Sequence, residues 1–494
     1  MFVLKLLLKT TEYDEDVLNK RFNLMNKCHN VLVKHSTKQL NLLRRNKKYI
    51  RLIKSYKKAK DAKDSNLIKT ISAELNSLID DFDLSKNKLE KYISVWQKRN
   101  AKNLSSLQCQ KEAERVFNGI CKVLYSSGKK LNYHKYSSQH TICGKNTTNG
   151  IKFDLTELEV KYLGLEIKLR KLNEYQKYVL STIKQDLSNV SYFEISREIF
   201  NNGYHYYLDI YIKEKPVFKH AYGSEVSGID PGVSTVAFVS ENSVKLVELA
   251  SEYNKYNDKI KEILKKMDRS RRSTNPENYN PDGTVKPNCK KFYKSKNYLK
   301  LLYKLKTLYR KKSAYIKQSH EILANQLIEN SIYIYIEKMS YKGLAKKSKK
   351  TEKQDKMSKV KGKEIHKFKK KKRFGSSMNN RSPSSFIEIL KRKVNNLNGF
   401  VMEINTKKYK ASQYNHITNK CDKMKLSDRF KLIGNYLVQR DLYSAFLIFC
   451  TANTLDHPDR NKCFKYFENF IKLQNEYIVH MKNNNISYKA CFGF

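Results

Sequence analysis

Acid is what this chain has too little of. Only 48 Asp and Glu stand against 99 Lys and Arg, a formal charge of +51. Such an excess, spread along the whole chain, repels itself unless a polyanion neutralises it. A bias toward A/T-rich codons would enrich Lys, Asn, Ile and Tyr. It would leave Asp and Glu available, so it does not account for the imbalance. The charge reads as the footprint of nucleic acid. A membrane surface is the competing polyanion, but no basic amphipathic helix stands apart to serve it. Long apolar runs are also missing. The opening Met1–Lys9 is apolar but broken by Lys5, and it lacks a small-residue cleavage site. It is too short to span a bilayer and reads as a strand. The nine cysteines form no CxxC pair and are irregularly spaced. That excludes a zinc-ribbon signature and argues against a disulfide framework. Reduced thiols in a soluble, intracellular protein are expected.

What is present suits a folded, multidomain chain. The 494 residues suggest about three domains. A hydrophobic fraction of 40% supplies a core. Residues 14–124 have few Gly or Pro, and apolar positions recur at helical spacing, as in Leu67, Ile71, Leu75, Leu78 and Ile79. Residues 125–222 change character, with turn signals at Ser126-Ser127-Gly128 and Thr148-Asn149-Gly150 and aromatic, branched stretches such as 204–212. The expected organisation is a β domain formed by 1–10 and 125–222, interrupted by a basic helical domain over 11–124. From 223 to 494 strands alternate with helices, which indicates an α/β domain. Within it, strands are expected over 226–240, 243–249, 332–338 and 400–405. Basic helices are expected over 252–270 and 293–330, a helix over 384–397, and a last amphipathic helix from about Gln439. The Lys-rich, polar segment 342–375 reads as a solvated loop and the stretch 406–435 as irregular.

Three acids sit where an α/β nuclease would place them. Asp230 follows a strand and opens a Pro-Gly turn, Glu337 closes the apolar strand, and Asp441 lies in the first turn of a helix. Each alone has an ordinary explanation: a turn, a first solvated residue, an acid favoured by the helix dipole. Together, carboxylates at strand ends and a helix start can converge, and like charges so placed call for cations. Hard oxygen donors suit Mg²⁺ or Mn²⁺, and two such ions about 3.5–4 Å apart can clamp the oxygens of a phosphodiester.

These segments carry a resemblance. Gly228-Ile229-Asp230-Pro231-Gly232 with Ala237 resembles the first RuvC motif of TnpB, the insertion-sequence nuclease related to type V CRISPR effectors. Ile334-Tyr335-Ile336-Glu337 is similar to the second, and Gln439-Arg440-Asp441-Leu442-Tyr443-Ser444-Ala445 to the third. The domain order is similar as well. The resemblance implies a RuvC-like nuclease domain of the RNase H fold over 223–494, a β-barrel wedge domain over 1–10 and 125–222, and an inserted helical recognition domain. It implies a guide RNA from the transposon end, double-stranded target DNA beside a short adjacent motif, and one metal-dependent site built from Asp230, Glu337 and Asp441. It further implies bridging helices over 252–330, a basic lid over 342–375 and a target-strand-binding insert over 406–438. A monomer in the bacterial cytoplasm, at the nucleoid, is expected. Nucleic-acid contacts are expected at Lys369, Lys370, Lys371, Lys372, Arg373, Arg269, Arg271, Arg272, Arg429 and Arg440.

Two departures stand out. The family's four-cysteine zinc ribbon is replaced by Ala411-Ser412-Gln413-Tyr414-Asn415-His416, with Cys421 nearby. Two candidate ligands do not make a structural site, so no zinc is expected. Gln439 stands where an acid is common. A compact type V CRISPR effector, a guide-dependent DNA-binding repressor with weak or no nuclease activity, and a strand-joining transposase remain as alternatives. The resemblance disfavours the last.

Overall fold

The structure is a computed structural model. It describes all residues except 127, 290, 346–352, 361–362, 369–373, 423–427, 485 and 487–494, and the backbone alone of 353–360, 363–368 and 407. The chain divides into two compact units, Met1–Pro216 and Val217–Phe494, parted in the loop that follows the strand ending at Ile212.

The first unit opens with β1 (Phe2–Leu7) and continues through α1 (Glu12–Arg45), α2 (Lys47–Asp61), α3 (Ser65–Asp81), α4 (Lys86–Asn100) and α5 (Ser106–Tyr125). Then come β2 (Thr141–Cys143), β3 (Ile151–Asp154), β4 (Glu159–Tyr162), β5 (Leu165–Lys168), α6 (Glu174–Thr182), β6 (Val190–Phe200) and β7 (Gly203–Ile212). Helix α1 starts where it does because Thr11 and Asp14 form a reciprocal cap. Its buried stripe is Leu18, Phe22, Met25 and Leu32. Each such side chain contributes about 1.5–3 kcal/mol when withdrawn from water. The sheet order is β1-β7-β6-β2, antiparallel throughout, with Leu4 opposite Ile210 and Leu6 opposite Leu208. The helices are thus inserted between β1 and β2, the two edge strands of one sheet. A three-stranded meander, β3-β4-β5, touches it through a bridge between Leu8 and Leu169.

The second unit is built on a five-stranded mixed sheet. Its strands are β8 (Val226–Pro231), β9 (Thr235–Ser240), β10 (Val244–Glu248), β11 (Tyr333–Glu337) and, after a two-stranded hairpin of β12 (Lys353–Val360) and β13 (Lys363–Phe368), β14 (Phe400–Ile404). The order is β10-β9-β8-β11-β14, with β8, β11 and β14 parallel and β9 antiparallel to both its neighbours. Helices α7 (Tyr253–Thr274) and α8 (Lys296–Ile328) precede β11. The short α9 (Tyr341–Leu344), α10 (Gly375–Arg381), α11 (Pro383–Asn396) and α12 (Thr406–Tyr409) follow. Two small hairpins, β15 (Tyr414–Asn415) with β16 (Lys420–Cys421) and β17 (Phe430–Ile433) with β18 (Tyr436–Gln439), lead into α13 (Arg440–Phe449) and α14 (Arg460–Asn483).

Alternation along the strands sorts the two faces of the sheet. Ile229, Val236, Phe238, Ile334 and Ile336 pack with Leu323, Leu327, Phe386 and Leu390 of α8 and α11. Ala237, Val239, Leu246 and Ile404 pack with Leu442, Ala445, Phe446 and Phe467 of α13 and α14. Three segments differ from the sequence reading. The strands of the 353–368 hairpin lie where a loop is expected, because their few apolar residues among lysines leave no periodic signal. The 406–438 stretch holds two hairpins rather than irregular chain. Helix α14 was not anticipated, although Asp459 caps it and Phe467, Phe470 and Ile471 carry helical spacing.

Candidate acidic site

Asp230 sits one residue before the end of β8, and Glu337 is the last residue of β11. The two strands are parallel, with Ile336 beside Ile229. One step further, Glu337 lies beside Asp230, and paired residues of parallel strands point to the same face. Ile229 and Ile336 belong to the α8/α11 face, so the two acids point to the other, toward α13. Gly228 explains how close that helix comes. A Cβ there would meet the Phe449 nitrogen at 2.2 Å and the Ala445 carbonyl oxygen at 2.3 Å. The helix therefore rests on bare β8 backbone, and its first turn carries Asp441 to the same edge.

The electrostatics follow from this crowding. Asp230 keeps some surface open, yet the protein packed around it raises its pKa well above the ordinary range. Glu337 and Asp441 raise it further, and Arg440 partly offsets them. Desolvation also raises Glu337. Asp441 is held differently. Its Oδ1 accepts from Arg440 Nε at 3.2 Å and from Arg440 Nη2 at 3.1 Å. Gln439 caps α13, accepting from Leu442 N at 2.7 Å, and its Nε2 donates to Asp441 Oδ2 at 3.5 Å. An acid at 439 would place a second negative charge beside Asp441, whereas the amide supplies a donor.

Two acids side by side without a cation offer hard oxygens to Mg²⁺ or Mn²⁺, and in that respect the residues fit such an ion. Among the described residues, no group of three or more His, Cys, Asp or Glu side chains is arranged so that it could hold a metal. Asp441 is engaged by Arg440. Sequence reasoning missed Tyr341, four residues beyond Glu337. Its hydroxyl is buried and has no hydrogen-bond partner among the described residues, and burial together with Asp230 and Glu337 raises its pKa.

No protein-family model matches the chain, and no curated protein does. Among solved structures it is similar to the Cas12f1–sgRNA–target DNA complex seen by cryo-EM. That match has 12% identity, covers 91% of this chain and 98% of that one, and has a TM-score of 0.44. It is also similar to the CRISPR-Cas12f ternary complex, at 12% identity over 90% and 98% of the two chains, with a TM-score of 0.25. The scores are low, and the functional reading below stands on the residues.

The remaining candidates scatter. Lys369, Lys370, Lys371, Lys372 and Arg373 lie outside the described residues. Arg269 is exposed on α7. Arg271 and Arg272 both pair with Asp268, at 2.6 and 2.7 Å. Arg272 also donates to the Gly283 carbonyl oxygen and lies over Tyr279, while Arg271 lies over Phe292. These two hold the 275–293 loop to α7. Arg429 is partly exposed, and its carbonyl oxygen accepts from Arg440 N. His416 is fully buried among Tyr443, Phe446, Phe464 and Phe467. Its Nδ1 lies 2.8 Å from the Tyr443 hydroxyl. Cys421 is exposed on β16. Among the described residues, no helix is long and apolar enough to cross a membrane.

Proposed function

We propose that the chain is an RNA-guided DNA endonuclease of the TnpB kind, with one RuvC-like site at Asp230, Glu337 and Asp441. The observation that carries this is the desolvated pair Asp230 and Glu337, placed at one strand edge with the first turn of α13 packed over it. The +51 charge and the three motifs support the nucleic-acid side of the reading. Asp230 and Glu337, with Asp441, would hold Mg²⁺ or Mn²⁺. The ions would activate water and stabilise the phosphodiester's developing charge. The protein's own part is to fix the carboxylates, keep them poorly solvated so that they bind cations, and hold the heteroduplex by its backbone while pairing reads sequence. The chain acts as a monomer with a guide RNA and double-stranded DNA, and it carries no structural zinc.

The test is guide exchange. RNA that co-purifies with the protein should map beside its gene, and changing only the pairing segment should move the cut correspondingly. If RNase-treated protein still cut one defined DNA sequence, specificity would lie in the protein and the reading would fail. The neighbourhood of the gene separates the two guide sources, a transposon end or a CRISPR array. Elemental analysis should find well under one zinc per chain. A second reading, a guide-dependent DNA-binding protein with weak or no cleavage, is favoured by the Arg440–Asp441 pair. Guide-dependent binding with no cut at any Mg²⁺ or Mn²⁺ concentration would establish it.

A further inference from the structure

A cavity of about 530 Å³ opens between α7, α8, α10 and the start of α11, and no residue of the acidic site lines it. Its walls include Lys312, Lys317, Asn257, Asn380, Ser382 and Ser385, and none of its described lining residues is acidic. Lys312 is the centre of the arrangement. Its Nζ donates to Asn257 Oδ1 at 2.7 Å and to Asn380 Oδ1 at 2.6 Å. An ammonium has three donors, so two are fixed and one remains. Both partners are neutral amides, and no carboxylate among the described residues pairs with this lysine. Lys312 is part-buried; that partial desolvation lowers its pKa and carries some cost when no counter-ion is present. An anion entering the cavity would offset the cost. Ser382 adds a hydroxyl that is not used for capping. It stands at the head of α11 at φ +46° with no side-chain cap bond.

Two lysines and three serines, with no acid among the described lining residues, match a phosphate group. The surroundings point to a phosphate on a strand. Tyr309 lines the mouth and is 48% exposed, and Tyr303 on the same helix is 40% exposed. Exposed aromatic faces beside a basic groove suit bases that follow one another along a backbone.

We propose that this cavity seats one phosphodiester of a nucleic-acid strand, with Lys312 aimed at it by Asn257 and Asn380. The proposal rests on the nucleic-acid reading above but not on cleavage, so it can be tested by binding alone, in metal-free buffer. The probe is a labelled RNA–DNA heteroduplex titrated against the full chain at several salt concentrations. Lys312→Gln should lower affinity about tenfold and reduce the slope of log K against log salt by about one contact. Asn380→Asp is the sharper variant. It is nearly isosteric, and its carboxylate would capture Lys312 internally. Its melting temperature should hold or rise while heteroduplex affinity falls by at least as much. Lys312→Arg should recover part of the loss. The proposal is overturned if Asn380→Asp binds the heteroduplex as wild type does. A tight complex with inorganic phosphate that Asn380→Asp abolishes, with heteroduplex binding unchanged, would assign the cavity to the free ion and also overturn it. If the wild type binds no heteroduplex, the nucleic-acid reading itself falls, and this assignment with it.

Discussion

Both units bury carboxylates, and they treat them in opposite ways. In the first, burial alone would push the Glu112 pKa up, but a hydrogen bond from His29 and the charge of Arg115 outweigh it and bring it below the ordinary value. Arg115 reaches Glu112 and Glu194 at 3.2 Å each, and His29 Nδ1 lies 2.8 Å from Glu112. These acids are satisfied internally and tie α1, α5 and β6 together. In the second unit Asp230 and Glu337 stand beside each other with no basic side chain among the described residues bonded to either, and their pKa values rise. The difference teaches what to look for in a functional acid. Desolvation is common to both cases, and what differs is whether the fold supplies the counter-charge. Asp209 shows that a raised value alone is not enough. Burial takes it to about 6 in the first unit. It lies within a strand that pairs on both sides, opposite Lys5 and Glu194, and a Ser196 hydrogen bond and the Lys5 charge partly offset the burial.

The largest expected effect breaks the second unit's side of the comparison. Asp230→Ala or Glu337→Ala should lower guide-directed cleavage by more than about a thousandfold while leaving RNA binding near wild type, as expected when one metal centre is removed. The double variant should be no worse than either single one. Single-turnover cleavage at saturating guide measures this, and a wild-type rate in either single variant would show that the pair is not the site. Asp441→Ala should match them if Arg440 releases Asp441 in the complex with substrate. If Arg440 does not release it, Asp441→Ala will cost less than the other two.

Those acids were legible because each sits at an element end with a local signature. Gly228 and Pro231 mark a strand that must lie bare under a helix and then turn, and an apolar run ending in Glu337 marks a neighbouring strand. Their side-by-side register was not legible, since it depends on which strands pair. Tyr341 and the Lys312 cavity were hidden for the same reason, because both are defined by packing between segments distant in sequence. Arg271 and Arg272 show what a run of cations alone does not reveal: both also engage Asp268 and the following loop.

The next effect breaks the first unit's side. Arg115→Met removes the shared partner of Glu112 and Glu194, both nearly fully buried. The cost should be about 3 kcal/mol, the low end for breaking a buried pair because Arg115 itself is partly exposed. By contrast, Asp230→Asn should leave metal-free stability unchanged or raise it, since it removes a repelled charge. Chemical denaturation of the full chain with chelator present compares the two. A loss for Asp230→Asn as large as that for Arg115→Met would erase the distinction between structural and functional acids.

The histidines sharpen the comparison at a smaller scale. His29 faces an acid, whereas His416 has Tyr443, a box of aromatics and, at its carbonyl oxygen, Arg460. Burial, reinforced by Arg460, lowers the His416 pKa to about 4. The folded state then binds this proton less tightly than the unfolded chain does. Stability from a neutral His416 is complete above the ordinary histidine pKa and is lost as pH falls toward 4, by at most about 3 kcal/mol. His416→Phe should flatten the acid limb of stability against pH between about 6.5 and 4. Hydrogen exchange of α13 and α14 amides across that range reads it locally. An unchanged pH dependence in the variant would mean that folding does not shift the pKa of this ring.

The smallest effect concerns Tyr341. Its hydroxyl is buried beside two acids without a partner among the described residues, which costs roughly 1–3 kcal/mol for an unsatisfied group. A fold that keeps such a group either tolerates it or uses it once the site is filled. Tyr341→Phe separates these cases because the two readouts move in opposite directions. With the protein alone, removing the orphan hydroxyl should raise the melting temperature by a few degrees. In guide-directed cleavage the same change should lower the single-turnover rate several-fold, with heteroduplex affinity unchanged, because a donor aimed at the acid edge is missing when charge develops there. A variant that is more stable and equally fast would mark the hydroxyl as a tolerated defect. A variant that is less stable would mean that it is already satisfied in solution, and the contrast between a charge-balanced first unit and an acid edge left open in the second would then lose one of its members.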